Sequence, residues 1–409
     1  MKRSLTLLLV LLLSLGLAFA ALAADTEHQH SYDSQAADGL CTICGEVCLH
    51  PVWLDGICQV CGAACPHPGW EEGRCTLCRL LCPHAHHDGN TMRCSDCGKF
   101  VPHTYADGVC VMCGQGPWFQ DQLLPAYLFA PSQHRGTLQT LSYQTHNYAA
   151  QRAGEKPGPY TKKLCVYLPY GYNSDKKYDV LVLMHGMGGS ERYWLMEEQV
   201  YYDAPEAKVK TTDMVENMVD LGTARECIIV TPTFYINSSN MNQYNRYREQ
   251  DQFTMELRND ILPLIVERYS TYAEAPTAEA ISQAREHFAY AGLSMGAIYG
   301  YNATLPLCLD LFGWYGEFSG AECWPDLVIS ALNAQTDRYP IYWFYNAAGL
   351  NDTMYNNHIN QYRTLVQNCT GLTEGANASF TSIRGAMHEY KAWGTGLYNF
   401  LLVVFANHK

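Results

Sequence analysis

Three separated segments carry residue types that together can move an acyl group. Gly292-Leu293-Ser294-Met295-Gly296 fits the pattern G-x-S-x-G, in which a serine sits on a turn too sharp for flanking side chains. At average composition the pattern arises by chance about 0.1 times in a chain this long. A serine nucleophile needs a base, and the base needs an acid to orient it. Where such a serine sits on a strand-to-helix turn of an α/β fold, the acid follows the serine and the histidine comes last. Asp352, closing Gly349-Leu350-Asn351-Asp352, is the candidate acid. Beyond it stand only His358, His388 and His408. His358 follows the aspartate too closely and His408 is the penultimate residue, so His388 is the candidate base. Its nearest rival reading is a surface loop histidine, and for Asp352 it is a turn or cap residue.

An oxyanion needs backbone donors. One is expected from Met295, directly after the serine at a helix start. The other is expected from His185-Gly186-Met187-Gly188-Gly189, with Met187 N–H preferred and Gly186 as the fallback. His185 reads as a structural hydrogen-bonding residue. Tyr193, Trp194, Phe234 and Tyr235 fall in two loops expected near the serine and could form aromatic walls for a substrate. Their alternative reading is core or surface aromatics in a chain with 29 tyrosines.

These residues need a scaffold. Apolar runs of strand length occur at Leu164–Leu168, Val180–Met184, Cys227–Thr231, Phe288–Ala291, Ile341–Ala348 and Phe380–Ile383. Helix-like segments lie between them. The clearest is 252–270, with Phe253, Leu257, Ile261, Leu264 and Ile265 at helical spacing. Pro263 inside it predicts a kink or break. Alternating strands and helices predict an α/β fold, a mostly parallel sheet covered on both faces. Ser294 then follows a strand and opens a helix, and Asp352 and His388 follow later strands. Loops gather at that edge of such a sheet.

The chain has 409 residues, which gives a prior of two to three domains. Hydrophobic residues make up 48% and charged residues 16%, which excludes wholesale disorder. The formal charge of −13 makes nucleic acid and anionic membranes poor partners. Residues 1–24 read as a signal peptide: Lys2 and Arg3, an apolar run from Leu5 to Ala18, and Ala21-Leu22-Ala23 for cleavage. The competing reading is an N-terminal anchor. A secreted, extracellular protein with no membrane attachment after cleavage is expected.

Of 18 cysteines, thirteen lie between Cys41 and Cys113. Residues 25–116 form a Cys/His repeat array. C-x-x-C recurs five times: Cys41 with Cys44, Cys58 with Cys61, Cys75 with Cys78, Cys94 with Cys97, and Cys110 with Cys113. The first three continue to Cys48 and His50, Cys65 and His67, and Cys82 and His84; the fourth keeps His103. An acidic residue and a glycine precede each pair, a turn signal at nearly fixed offset. A 17-residue unit cannot bury enough apolar surface to offset its chain entropy. Three thiolates and an imidazole match a closed, structural tetrahedral zinc set, and metal binding would supply the folding energy. His50 could equally group with Cys58, Cys61 and Cys65. The rival is a disulfide scaffold, which export favours; an odd count and strained C-x-x-C bridges oppose it. Trp53, Trp70 and Tyr105 could be exposed contacts or each unit's small core. A spacer is the preferred role, and a cell-surface or protein-binding arm the alternative. Elsewhere, Cys165 and Cys227 read as buried small hydrophobes, and a pair among Cys308, Cys323 and Cys369 stays open.

The remainder resembles a known family. Residues 180–194 (VLVLMHGMGGSERYW), 231–234 (TPTF), 258–274 (RNDILPLIVERYSTYAE), 291–296 (AGLSMG), 318–320 (FSG) and 385–393 (GAMHEYKAW) are similar to esterase-D-type α/β-hydrolases. The likeness is greatest to feruloyl esterase modules (carbohydrate esterase family 1) of anaerobic bacterial xylan-degrading enzymes. It covers roughly residues 135–409, after a linker at 117–134. It implies an α/β-hydrolase fold and a Ser294–His388–Asp352 triad. It also implies removal of hydroxycinnamoyl groups from arabinoxylan without a catalytic cofactor. The same pattern serves acetyl esterases, which would take acetylated polysaccharide or oligosaccharide, and acyltransferases. A dead hydrolase scaffold used for binding is the non-enzymatic rival. Ala297 departs from the family, where a further glycine often follows GLSMG.

Overall fold

The computed structural model describes residues 119–203, 206–236, 252–320 and 324–406, and the backbone of eight two-residue strands between residues 53 and 110. The signal sequence and Cys323 lie outside the described residues. So do the side chains of every expected metal ligand: Cys41, Cys44, Cys48 and His50; Cys58, Cys61, Cys65 and His67; Cys75, Cys78, Cys82 and His84; Cys94, Cys97 and His103; and Cys110 and Cys113. The zinc assignment therefore rests on their spacing in the sequence.

The eight short strands pair as four antiparallel ladders: Trp53–Leu54 with Ile57–Cys58, Trp70–Glu71 with Arg74–Cys75, His87–Asp88 with Arg93–Cys94, and Tyr105–Ala106 with Val109–Cys110. Each second strand ends on the first cysteine of a C-x-x-C pair. In three ladders only an acidic residue and glycine separate the strands, the shortest hairpin connection and one that favours glycine.

The large sheet is built from β1 (Thr137–Thr145), β2 (Tyr160–Leu168), β3 (Asp179–Met184), β4 (Cys227–Thr231), β5 (Phe288–Leu293), β6 (Trp314–Phe318), β7 (Trp343–Gly349) and β8 (Ala378–Ile383). Its order is β8-β7-β6-β5-β3-β4-β2-β1. Only β2 runs against the rest, antiparallel to both β1 and β4; β3 to β8 are mutually parallel. With the helices below, this is the α/β-hydrolase arrangement.

Period-two alternation of side chains puts Leu164, Val166, Val180 and Val182 in one core, and Cys165, Tyr167, Leu181 and Leu183 in the other. A strand buried on both faces reads as a continuous apolar run, which is why β3 and β4 stand out in the sequence. Helices α1 (Thr211–Asp220) and α6 (Tyr390–Val403) contribute apolar residues to one core. The segment 252–268, α4 (Pro325–Gln335) and α5 (Tyr355–Asn368) contribute to the other.

The expected proline irregularity takes a definite form. A π-helical turn at Leu257–Ile261 leads into α2 (Leu262–Arg268), with Leu262 N–H bonded to Leu257 C=O. The wider turn gives the Pro263 ring room where a regular helix would clash with the carbonyl four residues back. The device recurs at Pro306, where Gly300–Thr304 is π-helical and Leu305 N–H reaches Gly300 C=O. Cys165, Cys227, Cys308 and Cys369 are buried free thiols, so Cys308 and Cys369 form no disulfide. Among the described residues no helix is long and apolar enough to cross a membrane.

Candidate active site

Ser294 stands between β5 and α3 (Met295–Tyr299) with φ 50° and ψ −113°. That conformation costs on the order of 1–3 kcal/mol for a non-glycine residue and persists only when its surroundings over-determine it. Ser294 N–H donates to Phe318 C=O at 2.7 Å, and its own carbonyl accepts from Ile298 N–H at 3.0 Å. A Cβ on Gly292 would lie 2.5 Å from the Gly296 backbone, and one on Gly296 would lie 2.7 Å from the His185 carbonyl. Both motif glycines are therefore demanded by close backbone approach. Ala297 is accommodated from across the turn: a Cβ on Gly320 would lie 2.4 Å from the Ala297 methyl. The glycine of Phe318-Ser319-Gly320 supplies space that Ala297 takes up.

His388 Nε2 is 2.9 Å from Ser294 Oγ, and its Nδ1 is 2.9 and 3.1 Å from the two Asp352 carboxylate oxygens. A carboxylate only accepts, so Nδ1 carries the proton and Nε2 of the neutral ring accepts from the serine hydroxyl. The Asp352 side chain has no exposed surface and the His388 ring keeps 35% of its own. Burial pushes the Asp352 carboxyl up. Hydrogen bonds from His388 and the Met354 amide, with the Ser319 hydroxyl nearby, outweigh that and hold it below its ordinary value. Asp352 is also anchored by its own amide, which donates to Gly349 C=O at 3.0 Å.

The loop after β3 passes over the serine: a Cβ on Gly186 would lie 3.2 Å from Ser294 Cβ. Gly188 N–H donates to the Tyr235 hydroxyl at 3.0 Å and Gly189 N–H to Gly186 C=O at 3.1 Å. These bonds leave Met187 and Gly186 as the candidate donors of Gly186–Gly189. His185 lies beneath them, its ring nitrogens 2.6 Å from Gly186 C=O and 2.9 Å from Thr233 Oγ1. Burial pushes its pKa down to about 4, so it stays neutral and braces the loop.

The aromatic walls need correction. Trp194 is 1% exposed and Phe234 is fully buried, so neither ring offers area to a ligand. Trp194 donates its indole N–H to Met184 C=O at 3.0 Å. Phe234 stacks on Tyr299 with centroids 4.7 Å apart. Tyr235 is buried and spends its hydroxyl on Gly188, while Tyr193 packs edge-on against Trp194 and Trp393. Trp194, Phe234 and Tyr235 thus support the β3 and β4 loops, while Tyr193, only partly buried, keeps surface open to solvent. Among the described residues, large apolar side chains open to solvent on the loops of this edge include Met187 after β3, Leu350 after β7, Met387 after β8 and Trp324 before α4. Sequence reasoning passes over Leu350, Met387 and Trp324, although Leu350 and Met387 stand within two residues of Asp352 and His388. Ser319 also escapes it; it is buried with φ 53° at the end of β6. Among the described residues no group of three or more His, Cys, Asp or Glu is placed to hold a metal.

Residues 160–401 match the Esterase family model. The chain is 34% identical over 160 residues to endo-1,4-beta-xylanase Y of Acetivibrio thermocellus, an aligned region that is 39% of this chain and 13% of that one. It is 26% identical over 166 residues to an endo-1,4-beta-xylanase/feruloyl esterase of Xylanibacter ruminicola, covering 39% of this chain and 20% of the relative. The chain thus spans a small part of the curated relatives it matches. A solved structure of the feruloyl esterase module from Clostridium thermocellum, a serine-to-alanine mutant complexed with sinapinate, superposes with a TM-score of 0.60 at 24% identity, over 72% of this chain and 96% of that one. The sheet order and the family match lead to one assignment: the chain belongs to the Esterase family and is a carboxylic ester hydrolase of the α/β-hydrolase fold.

Proposed function

We propose that this chain is an exported serine esterase acting on plant cell-wall polysaccharide, with feruloyl esters of arabinoxylan as substrate. The observation that carries the mechanism is His388, hydrogen-bonded at once to Ser294 Oγ and the Asp352 carboxylate. Ser294 Oγ attacks the ester carbonyl while His388 Nε2 takes its proton. The Met295 and Met187 amides bond the oxyanion, with Gly186 as the fallback for the second. The tetrahedral adduct collapses, the sugar oxygen leaves with the proton from His388, and an acyl-serine remains. Water, deprotonated by His388, releases the acid and restores Ser294. Asp352 stays ionised throughout and holds the imidazole tautomer.

The feruloyl preference is supported by the relatives, which include a xylanase/feruloyl esterase, and by the exposed Met187, Leu350, Met387 and Trp324 on the loops of this edge. Apolar side chains of this kind suit an aromatic acyl group better than an acetyl group. Ser294→Ala is expected to abolish hydrolysis of methyl ferulate and of p-nitrophenyl acetate; surviving activity means the nucleophile is misassigned. The second reading, an acetylxylan esterase or acyltransferase on the same scaffold, rests on the breadth of this family pattern. Comparing kcat/KM on methyl ferulate with that on acetylated xylan separates the two, and a strong acetyl preference removes the feruloyl reading.

A further inference from the structure

We propose that Trp393 is a positioning residue for His388, holding the imidazole in its hydrogen-bonding plane. The inference rests on the reading of His388 as the base. His388 is fixed at two points, Nδ1 to Asp352 and Nε2 to Ser294. Two bonds at opposite nitrogens leave one freedom, a tilt of the ring about the line joining them. The N–H and the lone pair each point slightly off that line, so tilting bends both hydrogen bonds away from linearity. No backbone regularity prevents this, because His388 lies in the loop between β8 and α6 with a third of its ring open to solvent.

Trp393, in the first turn of α6, meets that ring nearly at right angles, with planes at 86° and centroids 5.2 Å apart. This edge-to-face contact opposes the tilt. The Trp393 amide bonds to Glu389 C=O at 3.2 Å, so the indole is tied to the residue that follows His388. On its other side the indole meets Tyr193, with centroids 6.3 Å apart and planes at 62°. Tyr193 belongs to the segment following the Gly186–Met187 loop. Trp393 thereby contacts both the loop of the base and the short helix that follows the loop of the expected oxyanion donors. Its indole N–H is buried and has no hydrogen-bond partner among the described residues. The side chain is present for the shape of its ring and not for its donor.

The test is kinetic, on the full chain, with active sites counted by fluorophosphonate labelling. Trp393→Leu is expected to lower kcat per labelled site on methyl ferulate about 10–100-fold, the scale for slight misplacement of a reacting group. KM should stay within about two-fold, since substrate contacts are untouched. Trp393→Phe keeps a flat ring and loses only the unpaired N–H, so it should restore most of kcat. A purely structural role predicts instead that loss follows the folded fraction, with kcat per labelled site unchanged. Wild-type kcat in Trp393→Leu, or equal impairment in Trp393→Phe, overturns the proposal. If Trp393→Leu does not fold, Trp393→Tyr and Trp393→Met replace the pair, the ring again expected to keep kcat and the flexible chain to lose it. His388→Gln is run in parallel: full activity there condemns the base assignment, whereas an inactive His388→Gln beside an unaffected Trp393→Leu condemns only the positioning role.

Discussion

Two buried acids, one after β7 and one on β6, show how far environment sets the behaviour of a carboxyl group. Asp352 ends up below its ordinary value because donors surround it. Glu317, on β6, lies fully buried with neither carboxyl oxygen bonded among the described residues, and burial pushes it well above its ordinary value. The consequences for stability have opposite sign. Asp352 is ionised in the native chain while the unfolded chain still binds a proton, so its contribution is present above the ordinary carboxylate range and is lost as pH falls. Glu317 keeps its proton in the native chain when the unfolded chain has lost it. Its contribution is present below that range and fades as pH rises. Glu317→Gln, neutral at every pH, should therefore raise the Tm at pH 8 by at least about 2 °C and by less at pH 4. A scanning melt at the two pH values checks this, and an equal shift at both would place the effect in packing. Asp352→Asn removes the tautomer control of His388 and should lower kcat about 10³–10⁴-fold with little change in KM. Ser294, Asp352 and His388 are readable in the sequence because each sits in a short motif whose glycines announce the turn. Glu317 is not, since an acid inside a buried strand contradicts the pattern by which strands are found.

At the scale of elements, legibility follows burial. The interior strands β3, β4 and β5 are unbroken apolar runs. The edge strand β1 turns Gln139, Leu141, Tyr143 and Thr145 inward and leaves Leu138, Thr140, Ser142 and Gln144 exposed, so both of its faces carry polar residues and it lacks the apolar run by which a strand is read. β6, Trp314–Phe318, carries Gly316 and Glu317 and is hidden in the sequence for that reason. The loop aromatics mislead for a related reason: position in a loop near the serine does not say whether a ring faces the ligand or the sheet. Trp194 and Phe234 face the sheet. They and His185 make the β3 loop a braced element, and that bracing has a pH dependence. His185, with its pKa pushed down to about 4 from 6.5, stays neutral in the native chain while the unfolded chain protonates. Its contribution is complete above pH 6.5 and is lost as pH falls toward 4. His358, pushed down to about 3 by burial, loses its contribution in the same direction. Replacing the side chain by one that does not titrate, His185→Gln, should flatten the loss of stability between these limits. It should also lower kcat, because the amides of Gly186 and Met187 lose their support. Denaturant midpoints at pH 7 and pH 5 read the first effect, and unchanged pH dependence would remove His185 as its source.

For the whole molecule, the division of the 18 cysteines is the organising fact. The four described in the esterase domain are buried free thiols, pushed up by burial and therefore inert. The thirteen between Cys41 and Cys113 recur with histidines, four of the five C-x-x-C pairs following a short hairpin among the described residues, and a unit of that size has too little apolar surface to fold unaided. The ligand spacing leads us to expect structural zinc there, held by three thiolates and an imidazole in each complete unit. Cys61, Cys78, Cys97 and Cys113 would each close the knuckle that their first cysteine opens at the end of a hairpin, and by the same spacing Cys44 would pair with Cys41. The esterase chemistry proposed for Ser294, His388 and Asp352 draws on none of those ligands. The two functions should then separate cleanly. Protein purified without oxygen should contain zinc on elemental analysis, about one ion per complete four-ligand set. Chelation should remove it, and the freed thiolates should take up protons from solution. Hydrolysis of methyl ferulate, a soluble ester that needs only the triad, should be unchanged by chelation. Hydrolysis of polymeric arabinoxylan should fall if the array serves as an arm that brings the enzyme to the wall, and should be unchanged if it is a spacer. Zinc near zero in such protein would refute the metal assignment and return the cysteines to a disulfide scaffold. Loss of methyl ferulate hydrolysis on chelation would instead tie the array to the esterase domain itself.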